Sequence, residues 1–394
     1  MDVLTHSLLG LTAAKAGLER YSPYTAVVCI LSANAPDIDV ASALFGDRWT
    51  VLLHHRGITH SIAGTLMLGV LIPSVFWGIE RVIAKWRKRP PQIRYRGLLF
   101  VSLIVAATHP LMDWTNNYGL RPLLPWSGRW FYGDLVFIVD PYIWLALGGA
   151  AFLLTSNRRW KTVAWSVLGL GLTLLFFLAP TERAPGPVNL TVIRTIWLAA
   201  ILSIIVARVL RLERRLGKSI AALALIFVVC YWGALALAHH TAYRESVRLG
   251  NQLSIDRGEH FITAAAMPTV GNPFRWQGFA ETDRATYRFF VGVGPEALPT
   301  DPREVLTDGK KTNSLTKIER YEKPSGRSEE LVLLAERDRR AQILLGFARF
   351  PIARVENDNC IGQTLVQFAD LRYTEPGIAR GNFSVNIPVE CPAP

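Results

Sequence analysis

Three groups of short segments in this chain gather imidazole and carboxylate side chains at spacings that suit metal ligation. One joins His6, in Thr5-His6-Ser7, to Asp37 and Asp39 of Pro36-Asp37-Ile38-Asp39; the second is His54-His55-Arg56-Gly57-Ile58-Thr59-His60-Ser61; the third is His109-Pro110-Leu111-Met112-Asp113. Neutral imidazole and carboxylate together suit zinc first, with manganese or iron as alternatives. His109 and Asp113 are four positions apart and share a helix face. Gly57 permits a tight turn that lets His55 and His60 face one centre, and His55 is favoured over its neighbour His54. The expected metal set is therefore His6, Asp37, Asp39, His55, His60, His109 and Asp113. Seven donors exceed what one tetrahedral zinc takes, which suits one to three divalent ions with Asp37 as a bridging carboxylate. Such ions activate water and align the oxygens of a phosphoester. Arg56, with its planar fork of donors, would hold a phosphate oxygen, so Arg56 and Asp37 are the expected catalytic residues.

Each group also has a plainer explanation. Asp39 and Asp37 could cap a helix, the histidines of 54–60 could be interfacial, and His109 with Asp113 could be a structural pair at a helix end. Asp140-Pro141 reads as an N-cap followed by proline at the first helical position, Asp134 as a surface charge, and His239-His240 as interfacial side chains. His260 is isolated.

The elements that must position these groups are apolar helices. Half of the 394 residues are hydrophobic and only 19% are charged, too apolar a balance for an ordinary soluble protein of this length. Six windows approach the roughly 18 apolar residues needed to cross a bilayer: 61–84, 97–113, 134–154, 162–180, 190–207 and 219–238. Ahead of them, Leu8–Leu18 and Thr25–Ala35 flank the turn-like Glu19-Arg20-Tyr21-Ser22-Pro23 and suggest a helical hairpin. The start, Met1-Asp2 without a basic n-region, does not resemble a cleaved signal peptide. The expected fold is a polytopic α-helical membrane protein of about six to eight transmembrane helices. After His240 the hydrophobic windows stop, and short mixed runs punctuated by Gly and Pro predict a small, mostly β, extracytoplasmic domain. The organisation is then a metal-site module (1–145), further transmembrane helices (146–240) and a C-terminal domain (241–394), with Pro299–Ser328 as its polar loop.

The formal charge of +12 does not mark a nucleic-acid binder, because its dense runs sit between the hydrophobic windows. Lys85–Arg96, Arg158–Lys161 and Arg208–Lys218 are alternate loops, so all lie on one side, and the excess of Lys and Arg makes that side cytosolic. The same count puts the three His/Asp segments and the tail on the non-cytosolic side. An oxidising compartment there would permit a disulfide between Cys360 and Cys391.

The segments Thr5-His6-Ser7, Pro36-Asp37-Ile38-Asp39, His55-Arg56-Gly57-Ile58-Thr59-His60-Ser61 and His109-Pro110-Leu111-Met112-Asp113 resemble the YdjM-like family of bacterial membrane-bound metal-dependent hydrolases. The likeness continues through Asn116-Asn117-Tyr118-Gly119, Pro125-Trp126-Ser127, Trp130 and Asp134–Pro141. In the tail, Phe368-Ala369-Asp370-Leu371-Arg372-Tyr373 is similar to the ending of longer members. The resemblance implies a bacterial inner-membrane hydrolase that uses a divalent metal. With the site at the membrane surface, a lipid-linked or amphiphilic phosphate is the expected substrate class, and the bilayer the expected partner. A metal or proton transporter would need polar residues deep in several helices, and 162–180 and 219–238 carry almost none. A non-catalytic membrane sensor with a structural metal is the other alternative.

Overall fold

Helix α1 (Val3–Lys15) begins at once, because the Asp2 carboxylate accepts the Thr5 backbone N–H (3.0 Å) and caps it. It ends before Gly17, whose φ of +133° turns the chain. A return helix, α2 (Thr25–Asn34), lies against it and completes the expected hairpin. Gly10 makes that approach possible, since a Cβ there would stand 2.6 Å from the Cys29 carbonyl oxygen. We expect Gly10→Ala to destabilise the protein by about 1–3 kcal/mol, because a backbone carbonyl cannot retreat as a side chain can. Denaturant unfolding checks this against Gly78→Ala, where a Cβ meets nothing within 4 Å and little change is expected.

The computed structural model describes residues 1–178, 190–296, 318–357, 362–378 and 383–391. Among them, six helical segments are long and apolar enough to cross a membrane: Thr25–Leu44, Ile62–Trp86, Tyr95–Trp114, Arg159–Leu178, Thr191–Val209 and Ser219–Arg257. The first is α2 with a 3-10 continuation, Ala35–Leu44, forced where Pro36 lacks the N–H that an α-helix would use. Next come α3 (Arg48–His54), the 3-10 turn Ile58–His60, α4 (Ile62–Trp86), capped by Ser61, and α5 (Tyr95–Trp114). Then follow α6 (Pro141–Thr155), α7 (Arg159–Leu178), α8 (Leu190–Val209), α9 (Leu212–Leu216) and α10 (Ser219–Arg257). The spans carry many exposed large apolar side chains, such as Val70, Val82, Val163 and Leu170, and these meet the bilayer.

The helices correct the hydropathy windows in two places. The window 134–154 contains only α6, whose 15 residues span about 22 Å, short of a bilayer core of about 30 Å. Asp140 and Pro141 start that helix, and the residues before it run as loop. The last span passes 238 and 240 unbroken to Arg257, making 39 residues or about 58 Å. About half of α10 therefore projects beyond the membrane.

The projecting half of α10 is the spine of the C-terminal region. Gly250 lies so close to the sheet that a Cβ would be 2.7 Å from the Ala280 methyl. Four antiparallel strands in the order β1 (Phe261–Thr269), β2 (Asn272–Thr282), β3 (Ala285–Gly292) and β4 (Glu319–Glu322) form one sheet. A second antiparallel sheet is β5 (Pro351–Val355), β6 (Gln363–Asp370) and β7 (Ser384–Glu390). Between them in sequence come two short helices, α11 (Arg327–Ala335) and α12 (Arg339–Phe347). The segment 299–328, expected as a loop, supplies β4 and the start of α11; its residues 299–317 lie outside the described residues. Cys391 is disulfide-bonded, and Cys360, its expected partner, lies outside the described residues.

Two buried apolar clusters tie this region to the membrane helices. One joins Leu8, Met112 and Trp144 to Trp276 and Phe289; the other joins Trp49, Leu52 and Tyr118 to Leu344, Phe347 and Phe368. Trp49 is thus buried, and Trp130 donates its indole N–H to the Gly346 carbonyl (3.0 Å). Trp86, Trp126 and Trp160 remain exposed.

The basic turns at the opposite end are joined in pairs. Arg94 donates to the Arg20 carbonyl (2.7 Å) and Arg208 to the Ser156 carbonyl (2.8 Å), which draws the Lys- and Arg-rich turns together.

Candidate metal centre

Asp37 reaches the centre from the 3-10 continuation of α2, His60 from the 3-10 turn before α4, and His109 and Asp113 from the last turns of α5. One donor atom from each of these four side chains lies within 4.8 Å of the others. His60 Nε2 and His109 Nε2 are 3.1 Å apart. Asp37 Oδ1 is 3.4 Å from His60 Nε2 and 3.5 Å from His109 Nε2, and Asp113 Oδ2 is 3.4 and 3.6 Å from the same two nitrogens.

Proton placement decides what this convergence means. His109 Nδ1 is 2.6 Å from the Ala33 carbonyl, which only accepts, so the ring proton of a neutral His109 sits on Nδ1. His60 Nδ1 is 3.2 Å from Asp39 Oδ2, another acceptor, so its proton sits there too. Both Nε2 lone pairs then point inward at each other and at two carboxylate oxygens. Four acceptors converging in a buried space repel one another, and a cation between them reverses the sign of that interaction. The donor set therefore fits a metal ion. An imidazole whose second nitrogen is held by a carbonyl or carboxylate is the usual arrangement around such an ion.

The remaining expected ligands surround these four. His6 is buried and stacked on His109, with ring centroids 3.8 Å apart, and its Nε2 is 3.3 Å from Asp113 Oδ1. Neither ring nitrogen of His6 has a well-formed hydrogen bond. The Met1 α-amino group also contacts Asp113 Oδ1. Asp39 lies on the outer side of His60; its carboxylate faces His55 Nδ1 (3.3 Å) and accepts the Arg56 backbone N–H (2.8 Å). His55 is the more open histidine, with 27% of its side chain exposed, and Asp37 is 15% exposed, whereas His6, His60, His109 and Asp113 are buried.

Arg56 is buried, with a positive φ of 52°, on the loop that Gly57 helps to turn. Its Nε is 3.0 Å from Asp113 Oδ2, and its Nη1 donates to the carbonyls of Asp113 (3.3 Å) and Gly119 (3.0 Å) and to Asn116 Oδ1 (2.9 Å). The Tyr118 ring covers the guanidinium at 4.6 Å. Burial lowers the Arg56 pKa to about 10, which leaves it charged at neutral pH.

The other candidates stand apart. Asp140 caps α6 through the N–H groups of Tyr142 (2.9 Å) and Ile143 (3.0 Å). Asp134 pairs with Arg349 (2.6 Å), His239 lies beside Trp276, and His54 and His260 are exposed.

Asp370 and Arg372 carry no role in the sequence-based reading of the site. Arg372 is buried in a double hydrogen bond with Asp370 and donates to the carbonyls of Asn117 (2.8 Å) and Phe347 (3.1 Å). The loop 116–119 is thus gripped by two guanidiniums, Arg56 from the membrane module and Arg372 from the tail. The only signal in the sequence was the Phe368–Tyr373 segment, whose partner lies 255 positions away.

Residues 1–184 match the model of the YdjM inner membrane protein family. Over 156 residues the chain is 26% identical to the uncharacterised protein YfhP of Bacillus subtilis (strain 168). That match covers 37% of this chain and 44% of that protein, so the similarity spans less than half of the relative. No solved structure matches the chain. The matched residues, 1–184, lie in the helical part of the chain and include the whole cluster.

Proposed function

We propose that this protein is a membrane-bound, metal-dependent hydrolase that cleaves a phosphoester of a lipid-linked or amphiphilic substrate at the non-cytosolic membrane surface. The observation that carries the reading is the convergence of the His60 and His109 Nε2 lone pairs with oxygens of Asp37 and Asp113. Those four side chains would hold a first divalent ion, zinc before manganese or iron. The two oxygens of Asp113 face different ways, Oδ2 to this group and Oδ1 to His6. That split supports Asp113 over Asp37 as the carboxylate shared with a second ion, with His6 as the further donor. Bound there, a divalent ion supplies Lewis acidity and lowers the pKa of water.

The chain's own groups do the rest. Asp39 and the Ala33 carbonyl keep the two imidazoles in the tautomer that offers Nε2. Arg56 fixes Asp113 and adds a positive charge beside an anionic substrate. Asp37 and His55 form the open edge, where substrate meets the cluster. The non-cytosolic assignment rests on the excess of Lys and Arg in the loops 85–96, 158–161 and 208–218.

The test is a screen of phosphoesters and lipid phosphates with purified protein, with zinc or manganese added and then chelated. Metal-dependent turnover that disappears in His109→Ala and Asp113→Ala is expected. Turnover that survives chelation, or that both variants retain, would refute the reading.

A further inference from the structure

The open edge of the cluster is ringed by exposed apolar side chains. In a 3-10 helix, residues three apart eclipse one another, so Val40 stands directly over Asp37 on the same face. Val40 is 52% exposed, Ile38 61%, and Leu44 and Phe45 at the end of the segment 80% and 87%. Leu53 and Ile58, on either side of His55, are exposed as well. Charge returns only at Asp47 and Arg48, just past Phe45. Ile38, Val40 and Leu44 share the membrane-crossing segment Thr25–Leu44 with the exposed Val27 and Leu31, and the exposed Ile62 and Leu66 belong to the membrane-crossing α4. A wet catalytic mouth would favour polar side chains here; a rim that shares a segment with lipid-facing side chains is solvated by lipid.

We propose that the mouth of the cluster opens sideways into the bilayer interface, and that Ile38, Val40, Leu44 and Phe45 guide the long alkyl or polyprenyl chain of a lipid phosphate whose headgroup reaches Asp37 and His55. This rests on the hydrolase reading and narrows it: the substrate arrives from the membrane and is held by its chain as well as by its phosphate. A water-soluble phosphoester would lack the second contact.

Two measurements on the full chain in lipid nanodiscs test the idea. Nitroxide labels at Leu44→Cys and Phe45→Cys, in a Cys230→Ser background, should be relaxed strongly by oxygen and weakly by a water-soluble nickel chelate. A label at Arg284→Cys, an exposed position in the tail, should show the reverse. In parallel, a long-chain and a short-chain phosphate with the same headgroup are compared. The long chain should raise kcat/KM at least about tenfold, the gain that two buried methylenes would supply. Leu44→Ser with Phe45→Ser should lower the long-chain kcat/KM to that of the short chain while leaving the metal content unchanged. Nickel-accessible labels at 44 and 45, or hydrolysis without chain preference, would overturn this proposal and leave the hydrolase reading standing. Failure to hydrolyse either compound would remove both.

Discussion

Replacing His60 with alanine is expected to strip metal from the cluster and to lower hydrolysis by more than about 100-fold, whereas Asp39→Asn should keep the metal and weaken its binding by about 10–100-fold. The difference follows from which atoms face inward. His60 presents Nε2 to Asp37, His109 and Asp113, so its loss removes a donor and leaves two carboxylates facing each other. Asp39 touches His60 only at Nδ1, on the far side of the ring. Removing such an outer partner typically weakens metal affinity by roughly 10–100-fold, so loss of a direct donor must exceed that. Metal content by mass spectrometry, chelator competition and turnover measured on the same samples separate the two variants. Equal loss in both would show that Asp39 is itself a ligand, and unchanged metal in His60→Ala would refute the centre.

Arg372→Ala is expected to destabilise the protein by about 3–5 kcal/mol, the effect of leaving one member of a buried ion pair uncompensated. Arg372 and Asp370 are both fully buried. The variant would strand the Asp370 carboxylate and withdraw the donor to the carbonyls of Asn117 and Phe347. The double variant Asp370→Leu with Arg372→Met should recover most of that loss, since an apolar pair of similar volume removes the stranded charge. Denaturant unfolding in detergent measures both. Because Asn116 also accepts from Arg56, loosening the loop should reach Asp113, and metal affinity should fall in Arg372→Ala as well. Stability within about 1 kcal/mol of the parent would mean that the tail docks on its apolar contacts alone.

Some of this was legible locally. His109 and Asp113 lie on one helix, where four residues return the chain to the same face, so their pairing follows from helix geometry alone. That the three His/Asp groups lie on one side of the membrane followed from counting hydrophobic windows and basic loops, neither of which depends on contacts between helices. Asp37 and Asp39 were indistinguishable in sequence. Pro36 turns the segment into a 3-10 helix, and at 120° per residue the two carboxylates point apart, one into the cluster and one behind His60. The window 134–154 misled because hydropathy sums over residues without regard to their conformation, and here 134–139 run as loop ahead of α6.

Composition and periodicity by themselves determined that the chain crosses a membrane, that a mostly β region follows, and which imidazoles and carboxylates share one end of the helices. These are properties of single segments, set by transfer of apolar residues from water and by helical repeat. Only the tertiary structure decided which lone pairs converge, that Asp39 stands behind His60, that Arg56 grips Asp113, and that Arg372 reaches back from the tail to the 116–119 loop. Each depends on the position of one element relative to another to within a fraction of an ångström. Such placement is fixed by packing across the whole chain, and no local preference encodes it.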